Sequence, residues 1–181
     1  MRKPFLLILG PLLWATSATA DQTDPRLDLL FTELRTGDAI RADENVSRIL
    51  EIWSDSSSDT VDLLFARAKE SVDNDNADLA LALLDHVTGL APNFAQGFAL
   101  RGAILMRLGE QDKAVRDFSR VLELEPRHFE VREALANILL ASDEKLEAYE
   151  MFQKALEWNP HDEDIRRRAR ALRRELDGQE I

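Results

Sequence analysis

Beyond residue 60 the chain reads as short segments in which apolar side chains recur three and four residues apart, as in Phe118, Val121, Leu122 and Leu124, the spacing of a helix with one buried face. The same arrangement returns 34 residues later. Leu84, Phe118 and Phe152 are each preceded four residues earlier by a small side chain (Ala80, Ala114, Ala148) and followed eight residues later by a proline (Pro92, Pro126, Pro160). These are the only prolines after Pro25, so the period is not selected from many candidates. Cut at that period, residues 61–94, 95–128 and 129–162 each predict a pair of helices. Asp75-Asn76, Gly109-Glu110 and Ser142-Asp143 supply the stops and caps between them. Each proline ends its second helix, because the residue before a proline avoids the helical region.

Small residues recur in the first helices as well, at Ala68, Gly102 and Ala136, and together with the alanines of the second helices they predict close helix crossings. A glycine inside a helix costs about 1 kcal/mol relative to alanine, so Gly102 predicts a neighbour pressing on its backbone. Upstream, residues 27–60 keep the same phase in weaker form. Leu30, Leu34, Val46, Leu50 and Trp53 hold apolar positions, but the small residues and the proline are missing. Residues 21–60 therefore predict a degenerate N-terminal capping hairpin. The serine-rich segment 54–59 reads as a solvated connecting loop, with Asp59 as the cap of the next helix. Downstream, Ile165, Ala169, Leu172 and Leu176 form one apolar stripe among six arginines. Residues 163–181 thus predict a single solvating helix and tail.

The first twenty residues follow a different logic. Arg2 and Lys3 precede an apolar run from Phe5 to Trp14, and Ala18-Thr19-Ala20 follows with small residues at the two positions a signal peptidase inspects. The run is about half the length that spans a bilayer, so residues 1–20 predict a signal peptide cleaved between Ala20 and Asp21. Of the 23 basic residues, Arg2 and Lys3 fall in that leader; 21 remain against 34 acidic ones, a net charge of −13. So acidic a body repels nucleic acid and anionic membrane surfaces. With no cysteine, an exported chain depends on packing alone and has no thiolate chemistry. The bacterial periplasm is the compartment that fits.

Residues capable of chemistry do not assemble into a recognisable motif. His86 falls on a second helix, and His128 and His161 follow prolines in loops. No two have the i, i+4 spacing of a helical metal site, and each reads as an ordinary loop or surface histidine. The glycines form no phosphate loop, no serine has a nucleophile-elbow context, and the carboxylates fit exposed helix faces paired with arginine or lysine. The expectation is a chain that is not an enzyme, with no cofactor and no metal.

The unit of 34 with small residues at positions 8 and 20, bulky ones at 11 and 24 and proline at 32 resembles the tetratricopeptide repeat. The middle unit matches through Phe98, Gly102, Leu105, Ala114, Phe118, Val121 and Pro126. Arg132 departs from the bulky position 4 in the third unit, and Ser71 from position 11 in the first. The resemblance implies an all-α, right-handed α-solenoid of helix-turn-helix units whose first helices line a concave groove for a protein or peptide partner. Carried over by position, that groove holds Phe65, Lys69 and Val72, then Gln96, Ala99, Ala103, Met106 and Arg107, then Glu133, Asn137 and Leu140. Position 12 is apolar in every copy and predicts a Val72–Met106–Leu140 track. Family members that hold a C-terminal carboxylate place lysine and asparagine at positions 5 and 9. Phe65, Ala99 and Glu133 stand at position 5 here, which disfavours that ligand. Arg166, Arg167, Arg170, Arg173 and Arg174 have two readings, a solvated outer face or a basic docking strip. The function these features imply is a periplasmic adaptor or assembly scaffold. The alternative is a structural envelope protein that self-associates into a homo-oligomer.

Overall fold

The structure is a computed structural model that describes residues 24–179; the predicted leader lies outside them. Every regular element among the described residues is helical. A first hairpin consists of α1 (Pro25–Thr36), a short 3-10 turn (Ala39–Arg41) and α2 (Ala42–Trp53). Three antiparallel pairs follow: α3 (Asp59–Asp73) with α4 (Ala77–Leu90), α5 (Ala95–Arg107) with α6 (Gln111–Leu124), and α7 (Phe129–Ala141) with α8 (Lys145–Trp158). The last helix, α9 (Glu163–Gln179), packs along α8. The pairs stack in order, α5 lying on α4 and α7 on α6, as the 34-residue period predicts.

The turn inside each pair is the same turn three times. Asp75, Gly109 and Asp143, spaced at 34, have φ of 57°, 79° and 61°. This is the left-handed region that glycine enters freely and Asp or Asn tolerate. The next residue closes the helix end with a six-to-one backbone bond: Asn76 N–H to the Ser71 carbonyl, Glu110 N–H to Leu105 and Glu144 N–H to Leu139, at 2.8–2.9 Å. The Asn76 side chain also accepts from Leu79 N–H and caps α4. The left-handed residue, and not the pair of polar residues as such, makes the break.

Close crossing is realised at Gly102. A Cβ there would lie 2.7 Å from Cε1 of Phe118, and Phe118 is itself buried. Gly102→Ala gains about 1 kcal/mol of helix propensity but overpacks the crossing at a cost of about 1–3 kcal/mol. We expect a net loss of about 1 kcal/mol in urea unfolding. A variant as stable as the parent would mean that the ring can withdraw. Ser71, the weak position 11, is buried with its hydroxyl bonded to the Arg67 carbonyl at 2.8 Å. Arg132, the departure at position 4, donates to the Pro126 carbonyl at 2.6 Å, and Arg166, 34 residues on, donates to that of Pro160.

The N-terminal hairpin sits elsewhere than its phase predicts. It does not continue the stack beyond the first unit; α1 lies against α8, and its core merges with that of the third unit. Phe31 packs on Trp158 and Phe129, and Trp53 on Phe129 and His128. The hairpin thus covers the edge formed by the turns that follow the second and third units. The face α2 buries, Ala42, Asn45, Ile49, Ile52 and Trp53, is also rotated from the predicted Val46–Leu50 face, both of which are half-buried. The hairpin lacks the small residues at the repeat's crossing positions, and its aromatic surface finds partners at the later turns.

The connecting loop is correspondingly built. Ser56 is fully buried, and both its N–H and its hydroxyl donate to Asp62 Oδ1, at 2.9 and 2.5 Å. Residue 58, not Asp59, occupies the cap position of α3.

Candidate functional site

The first helices of the three units face a cleft of about 250 Å³. Its apolar lining is Phe65 from α3, Ala99, Leu100 and Ala103 from α5, and Val131 and Ala134 from α7, with the Phe118 ring at its base. Polar groups stand around it: Lys69, Gln96, Glu130, His128 and Ser54. Gln96, Ala99, Leu100 and Ala103 share one face of α5 because they are spaced three and four apart. Three small alanines on facing helices leave the space, and Lys69 stands 6.0 Å over the Phe65 ring at one end.

Of the residues expected in the groove, Phe65, Lys69, Gln96, Ala99 and Ala103 come together here. The expected apolar track does not line this cleft. Val72, Met106 and Leu140 are half-buried and pack onto the cores of their own units. Arg107 pairs with Asp75 at 3.3 Å. Glu133 and Asn137 are both engaged by Arg168 of α9, the first at 2.9 Å. Leu100, Val131 and Ala134 stand at positions that the family pattern does not single out; Leu100, three residues before Ala103 on α5, would have been placed on the same face by its spacing.

His128 is the largest correction. It is 1% exposed and not a surface residue. Its ring stacks on Trp53 at 4.4 Å, Nε2 bonds Gln96 Oε1 at 3.0 Å, and Nδ1 accepts from Val131 N–H at 3.4 Å. Burial, with a smaller push from Arg132, lowers its pKa to about 3, so the ring is neutral and rigid at the cleft wall. Beside it Glu125, 2% exposed, accepts from Trp53 Nε1 at 3.3 Å and from the backbone and guanidinium of Arg127 at 2.8–2.9 Å. Arg127 also pairs with Asp28 at 2.7 Å and covers the Phe31 ring.

A second buried charge pair ties units together. Arg101 of α5 forks onto Asp117 at 2.7 Å and reaches Asp85 and Thr88 of α4. The carboxylates are therefore not all on exposed faces: Asp117 and Glu125 are buried and paired.

The arginine strip of α9 is largely turned on its own helix. Arg166 pairs with Glu163 at 2.5 Å, Arg167 with Asp164 at 2.6 Å and Arg173 with Asp177 at 3.0 Å. Arg170 and Arg174 are exposed. Among the described residues no three His, Cys, Asp or Glu side chains group so as to hold a metal ion.

Comparison with known proteins agrees with this geometry. The tetratricopeptide repeat family profile matches residues 105–173. The chain is 30% identical over 154 residues to a TPR repeat-containing protein of Rhizobium etli, covering 84% of this chain and 76% of that one. Among solved structures it is similar in fold to the Yersinia enterocolitica type III secretion chaperone SycD in complex with a peptide of the translocator YopD. The TM-score is 0.61 and the identity 19%, covering 68% of this chain and 97% of that one. The first TPR of Spaghetti (RPAP3) bound to an HSP90 peptide superposes with a TM-score of 0.60 at 15% identity, covering 65% of this chain and 93% of that one. Likeness to a relative along most of both sequences, joined to a 34-residue unit carried through three copies with its turns intact, means that this chain belongs to the tetratricopeptide repeat family.

Proposed function

We propose that the protein is a non-catalytic interaction module that grips a peptide segment of a protein partner in the cleft between α3, α5 and α7. The observation that carries this reading is the cleft itself: an apolar floor that Phe65 of α3 and the small side chains Ala99, Ala103 and Ala134 of α5 and α7 make together, with Lys69 and Glu130 offering opposite charges around it. Such a surface takes one apolar side chain of a peptide and orients the segment by its flanking charges. The peptide complexes of SycD and Spaghetti support the reading by analogy of fold. The role we infer is adaptor or assembly scaffold in the periplasm, the compartment resting on the leader pattern at residues 1–20.

Peptides selected from a random display library on the purified chain test the proposal. Ala103→Phe places a ring in the 250 Å³ cleft and is expected to weaken the selected peptides at least ten-fold while far-ultraviolet circular dichroism stays unchanged. Peptides that bind the variant as well as the parent would place the interaction elsewhere. A chain that elutes at twice its mass and yields no peptide would favour the self-associating structural role.

A further inference from the structure

The wall of the cleft between α3, α5 and α7 contains one polar side chain whose orientation is fixed from behind. Nδ1 of His128 accepts from the Val131 N–H, and a backbone N–H can only donate. Burial keeps the imidazole neutral, so its single proton sits on Nε2. Nε2 therefore donates, and the Gln96 atom 3.0 Å away is the acceptor, Oε1. This decides which way round the carboxamide stands. Its oxygen faces a ring that is 1% exposed, and its NH2 group is turned away from that ring. The NH2 group donates to no described residue. Gln96 itself is half-buried and lines the cleft.

The other polar groups of the lining are disposed differently. Ser54 donates its hydroxyl to the Leu50 carbonyl at 2.8 Å, Glu130 only accepts when ionised, and Lys69 stands over the Phe65 ring. Gln96 alone among the lining residues offers neutral donors held from behind by a buried partner. The pairing is also peculiar to the middle unit. Asp62 and Glu130 stand 34 residues before and after Gln96, and Phe94 and Asp162 stand 34 before and after His128. Neither of those pairs supplies an amide donor or an imidazole to hold one.

Resting on the peptide reading above, we propose that the Gln96 carboxamide donates to a backbone carbonyl of the bound segment, with His128 as the positioning residue that keeps the amide turned into the cleft. The segment is then extended where it crosses Gln96. Carbonyls inside a helix are already bonded within it, whereas an extended chain presents an acceptor at each residue. An amide oriented beforehand loses little rotamer freedom on binding. The bond carries no side-chain preference; it fixes the register in which an apolar side chain enters the cleft.

The peptides selected on the purified chain test this when resynthesised with one backbone amide at a time replaced by an ester, which makes that carbonyl a poorer acceptor and leaves the side chains unchanged. One ester position is expected to weaken binding to the parent about five-fold, the worth of a typical hydrogen bond. The same ester should cost nothing further in Gln96→Glu, which keeps an acceptor for His128 Nε2–H and removes both donors. In His128→Phe, which keeps a ring against Trp53 but releases the amide, it should cost less than in the parent. An ester penalty that persists in Gln96→Glu, or no sensitive position at all, would overturn the carbonyl bond and leave the peptide reading in place. Penalties recurring every three or four residues would mean a bound helix and overturn the extended segment. An undiminished penalty in His128→Phe would remove the histidine's positioning role. A library that yields no peptide would overturn this proposal and the peptide reading together.

Discussion

Trp53→Ala is expected to lower the unfolding free energy by about 3–5 kcal/mol, the usual cost of emptying a large buried aromatic site. Trp53 is 1% exposed. Its ring lies 4.4 Å from His128 and 5.8 Å from both Phe31 and Phe129, and its indole N–H donates to Glu125. All of these contacts but one join the hairpin to the turn between the second and third units. The loss therefore falls on docking, and the hairpin should release before the stacked units open. Limited trypsin digestion reads this directly: cleavage at Arg35, Arg41 and Arg48 is expected to outpace cleavage beyond residue 61. Leu29→Ala, on a side chain 62% exposed, should stay within about 0.5 kcal/mol of the parent. Equal stability of the two variants, with the hairpin still protected, would show that the aromatic contacts do not hold it.

Acid should weaken the protein through one histidine. His128 has a pKa of about 3 in the fold against about 6.5 in an unfolded chain. Above pH 6.5 the ring is neutral in both states and the fold has its full stability. As pH falls below that value the unfolded chain binds a proton that the folded one refuses, so stability drops by about 1.4 kcal/mol per pH unit, down to the folded pKa. At pH 5 the contribution is about 2 kcal/mol. Urea unfolding at pH 7.5 and 5.0 should show the parent losing about 2 kcal/mol more than His128→Gln, which has no such proton to refuse. Equal losses would mean that the ring is solvated and ordinary.

The repeating part of this fold is legible because it is local and periodic. Ala80, Ala114 and Ala148 mark the crossings, the prolines mark the ends, and Gly102 predicts the pressure that Phe118 exerts. What escapes the pattern is made by residues that occur once. Glu125, Arg127, His128 and Trp53 obey no period, and the contacts among them join segments as far apart as Asp28 and Arg127. The weak repeat phase in residues 27–60 says nothing of where α1 and α2 dock, since nothing local distinguishes stacking on the first unit from docking at later turns. The groove is legible by half for a related reason. Family positions assign side chains to a face, but which of them reach open space depends on their neighbours' size: Ala99 and Ala103 leave a cleft, whereas Met106 and Leu140 are drawn into the cores beside them.

The hairpin has a consequence for the history of the chain. Repeat arrays ordinarily lengthen or shorten by whole units, because each contacts only its neighbours. Here the hairpin is fastened covalently at the start of the first unit and by side chains at the turn after the second. The tether between α2 and α3 is five residues, 54–58, and a chain reaches at most about 3.3–3.6 Å per residue. A unit duplicated between the two anchors would carry Glu125, Arg127 and His128 out of reach, and a deleted one would crowd them. The protein counts its own repeats, and the count is recorded in the distance from Trp53 to His128.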